Sequence, residues 1–293
     1  MKLIKQSFEI LEQKDFSLVG IKKFIERCGR VCYKSENRIT DTSYEKFVNM
    51  LESRGHDRPL EFGTVHLKVP FKALNLFYET VVVSKMFNNQ WIQWDIEEDS
   101  EDNEYYAYMT TNYRYYLALL NEAPWLSKYL DSNDNKFYPK RYTVHFIISR
   151  GIMDEFRTHV GLSHLAESTR YCNYSKDKFE NELTFIIPNW VNTNCPNKEQ
   201  EGPSNTSIEW SNACYEAEKH YLSLLKNGCT PQQAREVLPL AVKSELISCG
   251  FEDAWDNFFM RRCAKDAHPM AREIATKVRD EFNELKNETK ESK

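Results

Sequence analysis

Apolar residues recur at helical spacing between residues 16 and 33, where Phe16, Ile21, Phe24, Ile25 and Cys28 share one face. The pattern predicts a helix there and a second over 43–55, stopping near Gly55. Residues 60–69, LEFGTVHLKV, alternate as a strand does. Residues 140–149, KRYTVHFIIS, are β-rich and give the strongest strand of the chain. Spacing predicts helices around 109–121 and over 150–159. In the last third it predicts helices over 207–227, 230–238, 252–262 and 269–287, and a strand over 243–250. Pro269 suits the first turn of the last helix, where its missing N–H has no partner to lose.

Three stretches lack such a pattern. Residues 72–88 are apolar without a clear period. The acidic run DIEEDSEDNEY, 95–105, reads as an exposed loop. Residues 192–206 are polar and punctuated by Pro and Gly, as a loop is. Strands and helices are otherwise intermixed, with no repeat and no sharp boundary. The fold class expected is α/β (α+β): a mixed sheet with flanking long helices in one intertwined domain over 1–287. Residues 71–139 are an elaboration on it and 288–293 a disordered tail.

Composition narrows the function classes. At 293 residues the chain is long enough for a sizeable core. Its 41% hydrophobic and 13% aromatic content is globular. A net charge of −5 carries no overall basic footprint, so nucleic acid is not an expected partner. No run reaches the roughly 18 apolar residues of a membrane span, so a membrane is not expected either. The first residues mix charge with apolar side chains and lack a signal-peptide core. None of the eight cysteines makes a CxxC pair. Reduced thiols and a cytoplasmic location follow as expectations.

Familiar catalytic motifs are missing. There is no GxSxG elbow, HExxH, Walker loop or GxGxxG, and no metal site is expected. His159 and His164, five apart, do not share a helical face. What stands out is RTHVGLSHLAESTRYCNYS, 157–175, too polar for a core and too mixed for a solvated charge run. Ser168 and Arg170, two apart, fall on the same side of a strand or turn. A hydroxyl beside a guanidinium fork suits an oxyanion such as phosphate, or else makes a surface salt bridge and a Ser/Thr turn. A second arginine-bearing block, 232–275, carries Arg235 before the apolar VLPL, and Arg261 and Arg262 at the end of an aromatic helix.

Together these blocks resemble the flavin-dependent thymidylate synthases. RVCYKSE (30–36), RGHDRPLEFGTVHL (54–67), KRYTVHFIISRG (140–151), ESTRYCNYSKDKF (167–179) and 232–275 look like that family, in that order. The resemblance implies that family's fold and a homotetramer with active sites at subunit interfaces. It implies methylation of dUMP to dTMP, with methylene-tetrahydrofolate as carbon donor, NADPH as reductant and FAD as the hydride-transferring cofactor. On that basis Glu155, Arg157, Glu167, Ser168, Thr169, Arg170 and Arg235 would bind the nucleotide. Arg262 would polarise the pyrimidine as the catalytic residue. Thr64, Thr158, His159, Val160, Ala166 and Asn257 would contact the flavin.

Departures from the family pattern carry information too. Thr158-His159-Val160 stands where the family has Arg-His-Arg, and Arg157 lies one place early. Phe62 replaces a histidine, and Ala166 an amide or carboxylate. A lost charge-assisted hydrogen bond costs about 1.5–3 kcal/mol. Two alternatives therefore stay open: the same chemistry on another pyrimidine nucleotide such as dCMP, or a nucleotide-binding homologue that has lost catalysis.

Overall fold

A computed structural model describes residues 1–75, 86–99, 103–170, 172–176, 181–191 and 205–291. In chain order the strands are β1 (Lys2–Ile4), β2 (Ser7–Leu11), β3 (Thr64–Pro70), β4 (Ile92–Asp99), β5 (Glu104–Asn112), β6 (Leu130–Asp131), β7 (Arg141–Ser149), β8 (Ser163–Ala166), β9 (Thr184–Ile186) and β10 (Lys243–Phe251). The helices are α1 (Leu18–Val31), α2 (Ser43–Ser53), α3 (Phe71–Asn75), α4 (Tyr113–Glu122), α5 (Arg150–Arg157), α6 (Asn205–Lys226), α7 (Pro231–Ala234), α8 (Glu252–Arg262) and α9 (Pro269–Glu291). No helix of the described residues is long and apolar enough to cross a membrane.

The central sheet has the order β2-β7-β10-β8, antiparallel throughout. Strand alternation gives it two buried faces. Val144, Phe146, Ile148 and Leu246 point to one side, where α5, α8 and α9 cover them with Phe156, Trp255, Phe258, Ile274, Val278 and Phe282. Leu165, Ile247 and Cys249 point to the other, against Phe24 and Cys28 of α1 and against Phe62. Burying both faces explains why β7 turns wholly apolar after His145. Parallel pairing, expected of a mixed sheet, is confined among the described strands to β1 with β9.

A second antiparallel sheet, β4-β5-β3-β6, draws three of its strands from 71–139 and has its own core with α2 and α4. Here the acidic run departs from expectation. Residues 95–99 finish β4 and 104–105 begin β5, with Asp99 opposite Glu104. Cross-strand backbone bonds do not depend on side-chain charge, and the carboxylates find partners. Asp99 meets Lys68, and Glu104 Oε1 lies 2.5 Å from Lys72 Nζ. Charge along the edge strand β4 also discourages pairing with another chain. The expected helix at 109–121 starts later, at Tyr113, because Asn112 caps it and the residues before still belong to β5.

Helices predicted in the last third hold closely. The last one runs on to Glu291, through residues read as tail; 292–293 lie outside the described residues, as do most of 72–88 and of the loop 192–206.

Candidate active site

Two groups of the predicted residues assemble, one on each face of the central sheet. The first lies in the helical layer. Arg262 ends α8 and Glu155 lies in the last turn of α5. Arg262 Nη2 donates to the Glu155 carbonyl at 2.5 Å and to Thr158 Oγ1 at 3.4 Å, and Nη1 lies 3.5 Å from Glu155 Oε2. Nε of the same guanidinium is buried without a hydrogen-bond partner among the described residues. Asn257, one helical turn before Arg261, accepts from its Nε at 3.1 Å.

His159 lies just beyond Thr158, edge-on to Phe258. Its Nε2 is also buried without a partner. Burial lowers its pKa, and Arg262 and Arg261 lower it further, so the ring is neutral at neutral pH. His164 holds this loop from β8. A carbonyl only accepts, so Nε2–H of His164 donates to the His159 carbonyl at 3.2 Å. Its Nδ1 then accepts from Ser248, its cross-strand partner, at 2.9 Å. Burial first, then nearby cations, hold the His164 pKa down to about 4. Gly161 makes the turn at φ 100°, a conformation that disfavours any side chain. A Cβ on Gly250 would meet Leu162 at 2.5 Å, so the loop presses onto β10 only because that position is glycine.

The second group follows β8. Glu167 N–H donates to the Glu245 carbonyl at 2.8 Å, and Ser168 N–H to the Cys32 carbonyl at 3.1 Å. The Ser168 hydroxyl has no partner among the described residues. Thr169 Oγ1 accepts from Arg235 Nη1 at 3.3 Å, and Arg170 Nε donates to Gln232 at 3.2 Å. So 167–170 and the Arg235 turn, more than sixty residues apart, form one surface. Glu167 itself faces inward. It is buried, accepts from Tyr174 at 3.0 Å and pairs with Lys243 at 2.8 Å.

Other predicted residues lie elsewhere. Thr64 Oγ1 accepts from Arg141 at 3.0 Å and lines a separate cavity of about 520 Å³ with Gln13, His66 and Phe16. Ala166 is half-buried against the helical layer, Val160 is 83% exposed, and Arg157 pairs with Asp154 of its own helix, at 3.7 Å. Phe62 is fully buried in the α1 face. Beside it, Glu61 is 1% exposed, yet its carboxylate is matched: Arg114 Nη1 and Ser163 Oγ each donate to it at 2.6 Å.

A comparison with protein families decides what this arrangement belongs to. The family model described as thymidylate synthase complementing protein matches residues 137–286, a little over half of the chain. The chain belongs to that family, the flavin-dependent thymidylate synthases. The matched segment holds the central strands β7, β8 and β10, both site groups, the helices α5 and α8, and most of α9. A thymidylate-synthase-type function comes with the family. No curated protein matches the chain. Among the described residues no group of His, Cys, Asp and Glu could hold a metal ion. Two of the thiols are poor nucleophiles: burial pushes Cys32 up to about 12 and Cys214 up to about 11.

Sequence reasoning missed Lys34, Lys243 and Glu245, which underlie the Ser168 turn, and Glu61 with Arg114. One signal was present. In a strand, period two puts Lys243, Glu245, Ile247 and Cys249 on one face, so two opposite charges share a side with a buried apolar pair.

Proposed function

We propose that this family member methylates dUMP to dTMP, with methylene-tetrahydrofolate as carbon donor, NADPH as reductant and FAD as resident cofactor. The observation that carries the reading is Arg262. Its guanidinium is fixed by Glu155 and Thr158, while its Nε has no acceptor among the described residues. Attack at a pyrimidine carbon leaves negative charge on the ring, and a cation already in place stabilises it without reorganising. The unpaired Nε2 of His159, next to it, is the acceptor nitrogen of a neutral ring whose N–H is taken by the Ala254 backbone, and it fits a heteroaromatic ligand with an N–H of its own. FAD, when bound and reduced, would supply the hydride; His159, Thr158 and Asn257 are the residues that would hold it. On the other face, Ser168, Thr169, Arg170 and Arg235 supply hydroxyls and guanidinium donors suited to a nucleotide phosphate.

A homotetramer with shared sites is part of the proposal. Arg262 and Ser168 lie on opposite sides of one sheet, which favours a nucleotide held between copies. Val160 beside His159 and Met260 beside Arg261 are large apolar side chains left at the surface, as an interface leaves them.

The test is the visible spectrum of the purified protein after incubation with FAD and desalting, then turnover with dUMP and dCMP. Retained flavin and dTMP formation are expected. Preferential turnover of dCMP would move the acceptor to cytosine. A protein that stays colourless at saturating FAD would overturn the redox reading and leave a nucleotide-binding homologue.

A further inference from the structure

The Ser168 turn rests on a buried layer of charge that the binding surface itself does not require. Lys34 follows α1 with φ 48°, a left-handed conformation that a side chain rarely adopts without compensation. Its ammonium lies 2.7 Å from Glu245 Oε1 and 2.9 Å from Glu36. Lys243 lies 2.5 Å from the same Glu245 oxygen and 2.8 Å from Glu167. His145 Nε2 donates to the other Glu245 oxygen at 2.8 Å. Both carboxylates are buried, and a buried carboxylate is stable only when matched by cations and donors. Burial would raise the Glu245 pKa, but His145 and the two lysines hold it well below the usual carboxylate range.

What sets this layer apart is where it ends. Glu245 offers its carbonyl to the Glu167 N–H, and the turn bearing Lys34 offers the Cys32 carbonyl to the Ser168 N–H. Tyr174 closes the far side of the loop on Glu167. Lys243 therefore pairs directly with the segment through Glu167, while Lys34 ties the turn after α1 to Glu245, and the backbones of that turn and of Glu245 hold the Ser168 and Glu167 N–H groups. We propose that Lys34 and Lys243 are positioning residues that hold the 167–170 turn in its ligand-binding shape. The inference rests on the reading of that turn as a nucleotide site.

Lys34→Gly separates backbone from charge, because glycine removes the ammonium while relieving the left-handed strain. Lys34→Arg keeps a cation. In the full chain, Lys34→Gly is expected to speed hydrogen exchange of amides 167–174 by about tenfold, with α9 and β7 unchanged. It is expected to raise KM for dUMP by about tenfold at nearly constant kcat, and Lys34→Arg to restore most of both. Lys243→Met, which strands Glu167, is expected to exceed Lys34→Gly in both readouts. Exchange and KM at parent values in Lys34→Gly would overturn the proposal. So would acceleration spread evenly over the molecule, which marks a merely structural role. If the parent chain binds no dUMP but 167–174 still loosens selectively, the positioning stands and the nucleotide reading falls.

Discussion

The two faces of the central sheet treat their polar groups in opposite ways. On the α1 face the buried carboxylates are matched in charge: Glu245 by two lysines and a histidine, Glu61 by Arg114 and Ser163, and Glu167 by Tyr174 at one oxygen and by the Lys243 ammonium at the other, which is ion-paired without an aligned hydrogen bond. In the helical layer, Arg262 Nε and His159 Nε2 are buried and unmatched, and Val160 lies open beside them. Folding alone does not favour unmatched buried polar atoms, since each costs on the order of 1–3 kcal/mol. The matched face reads as scaffold for a binding turn, and the unmatched one as chemistry awaiting a ligand or another copy.

The comparison breaks most sharply at Arg262. Removing it is expected to lower dUMP turnover by roughly a hundredfold to a thousandfold, the range for one preorganised electrostatic group. Folding stability should change little, because the side chain leaves no fully buried carboxylate unpaired: Glu155 is itself half-exposed. Steady-state rates and urea midpoints of Arg262→Ala and Arg262→Lys measure both. Unchanged turnover in Arg262→Ala would remove the helical layer from the chemistry.

Acid comes next. His164 titrates at about 4 in the folded chain against an ordinary value near 6.5. Above pH 6.5 it is neutral in both states and its stabilisation is fully present. As pH falls from 6.5 towards 4, the unfolded chain takes up a proton that the folded chain refuses. Stability is lost over that window, by about 3 kcal/mol at most for such a shift. His66, buried between Phe16 and Tyr138, has the same sense and the same value of about 4. Urea unfolding at pH 7 and pH 4.5 should show the loss, and His164→Gln should remove about half of it. An equal loss in the variant would mean that His164 does not hold the His159 loop.

Much of this was legible in the sequence, for reasons that differ by face. Arg235, Ser168 and Arg262 stood out because polar groups near apolar blocks break a pattern, and ordered blocks resembling a family carry more than any one of them. The elements β7, β10, α5 and α8 were plain because their period is local. The acidic hairpin was not. Its signal is pairing between β4 and β5, which local charge conceals. Nor was the Lys34–Glu245 pair, whose members lie 211 residues apart. That contact exists only once α1 has docked on the sheet.

Arg114 tests the scaffold face at a smaller scale. It comes from the segment outside the family match, yet it matches Glu61 beside the start of β8. Arg114→Ala is expected to destabilise the chain by about 2 kcal/mol, less than a fully buried pair would lose, because water reaches the half-exposed guanidinium. Arg114→Ala with Glu61→Gln should recover part of that loss, since an amide tolerates burial better than an unpaired carboxylate. A double variant no better than the single would mean that the charge of Glu61 is compensated elsewhere.

The smallest effect on stability separates ligand from partner copy as the reason for the open side. Val160 is 83% exposed, so Val160→Asp should change unfolding free energy by less than about 0.5 kcal/mol in a single chain. At an interface between copies the same change buries a carboxylate in an apolar contact, which is costly. Light scattering should then report a smaller assembly, with secondary structure intact. If the mass holds and only FAD retention falls, Val160 faces the cofactor. If neither moves, the unmatched polar atoms next to it belong to a site that this loop does not wall, and the contrast between the faces narrows to Arg262 and His159 alone.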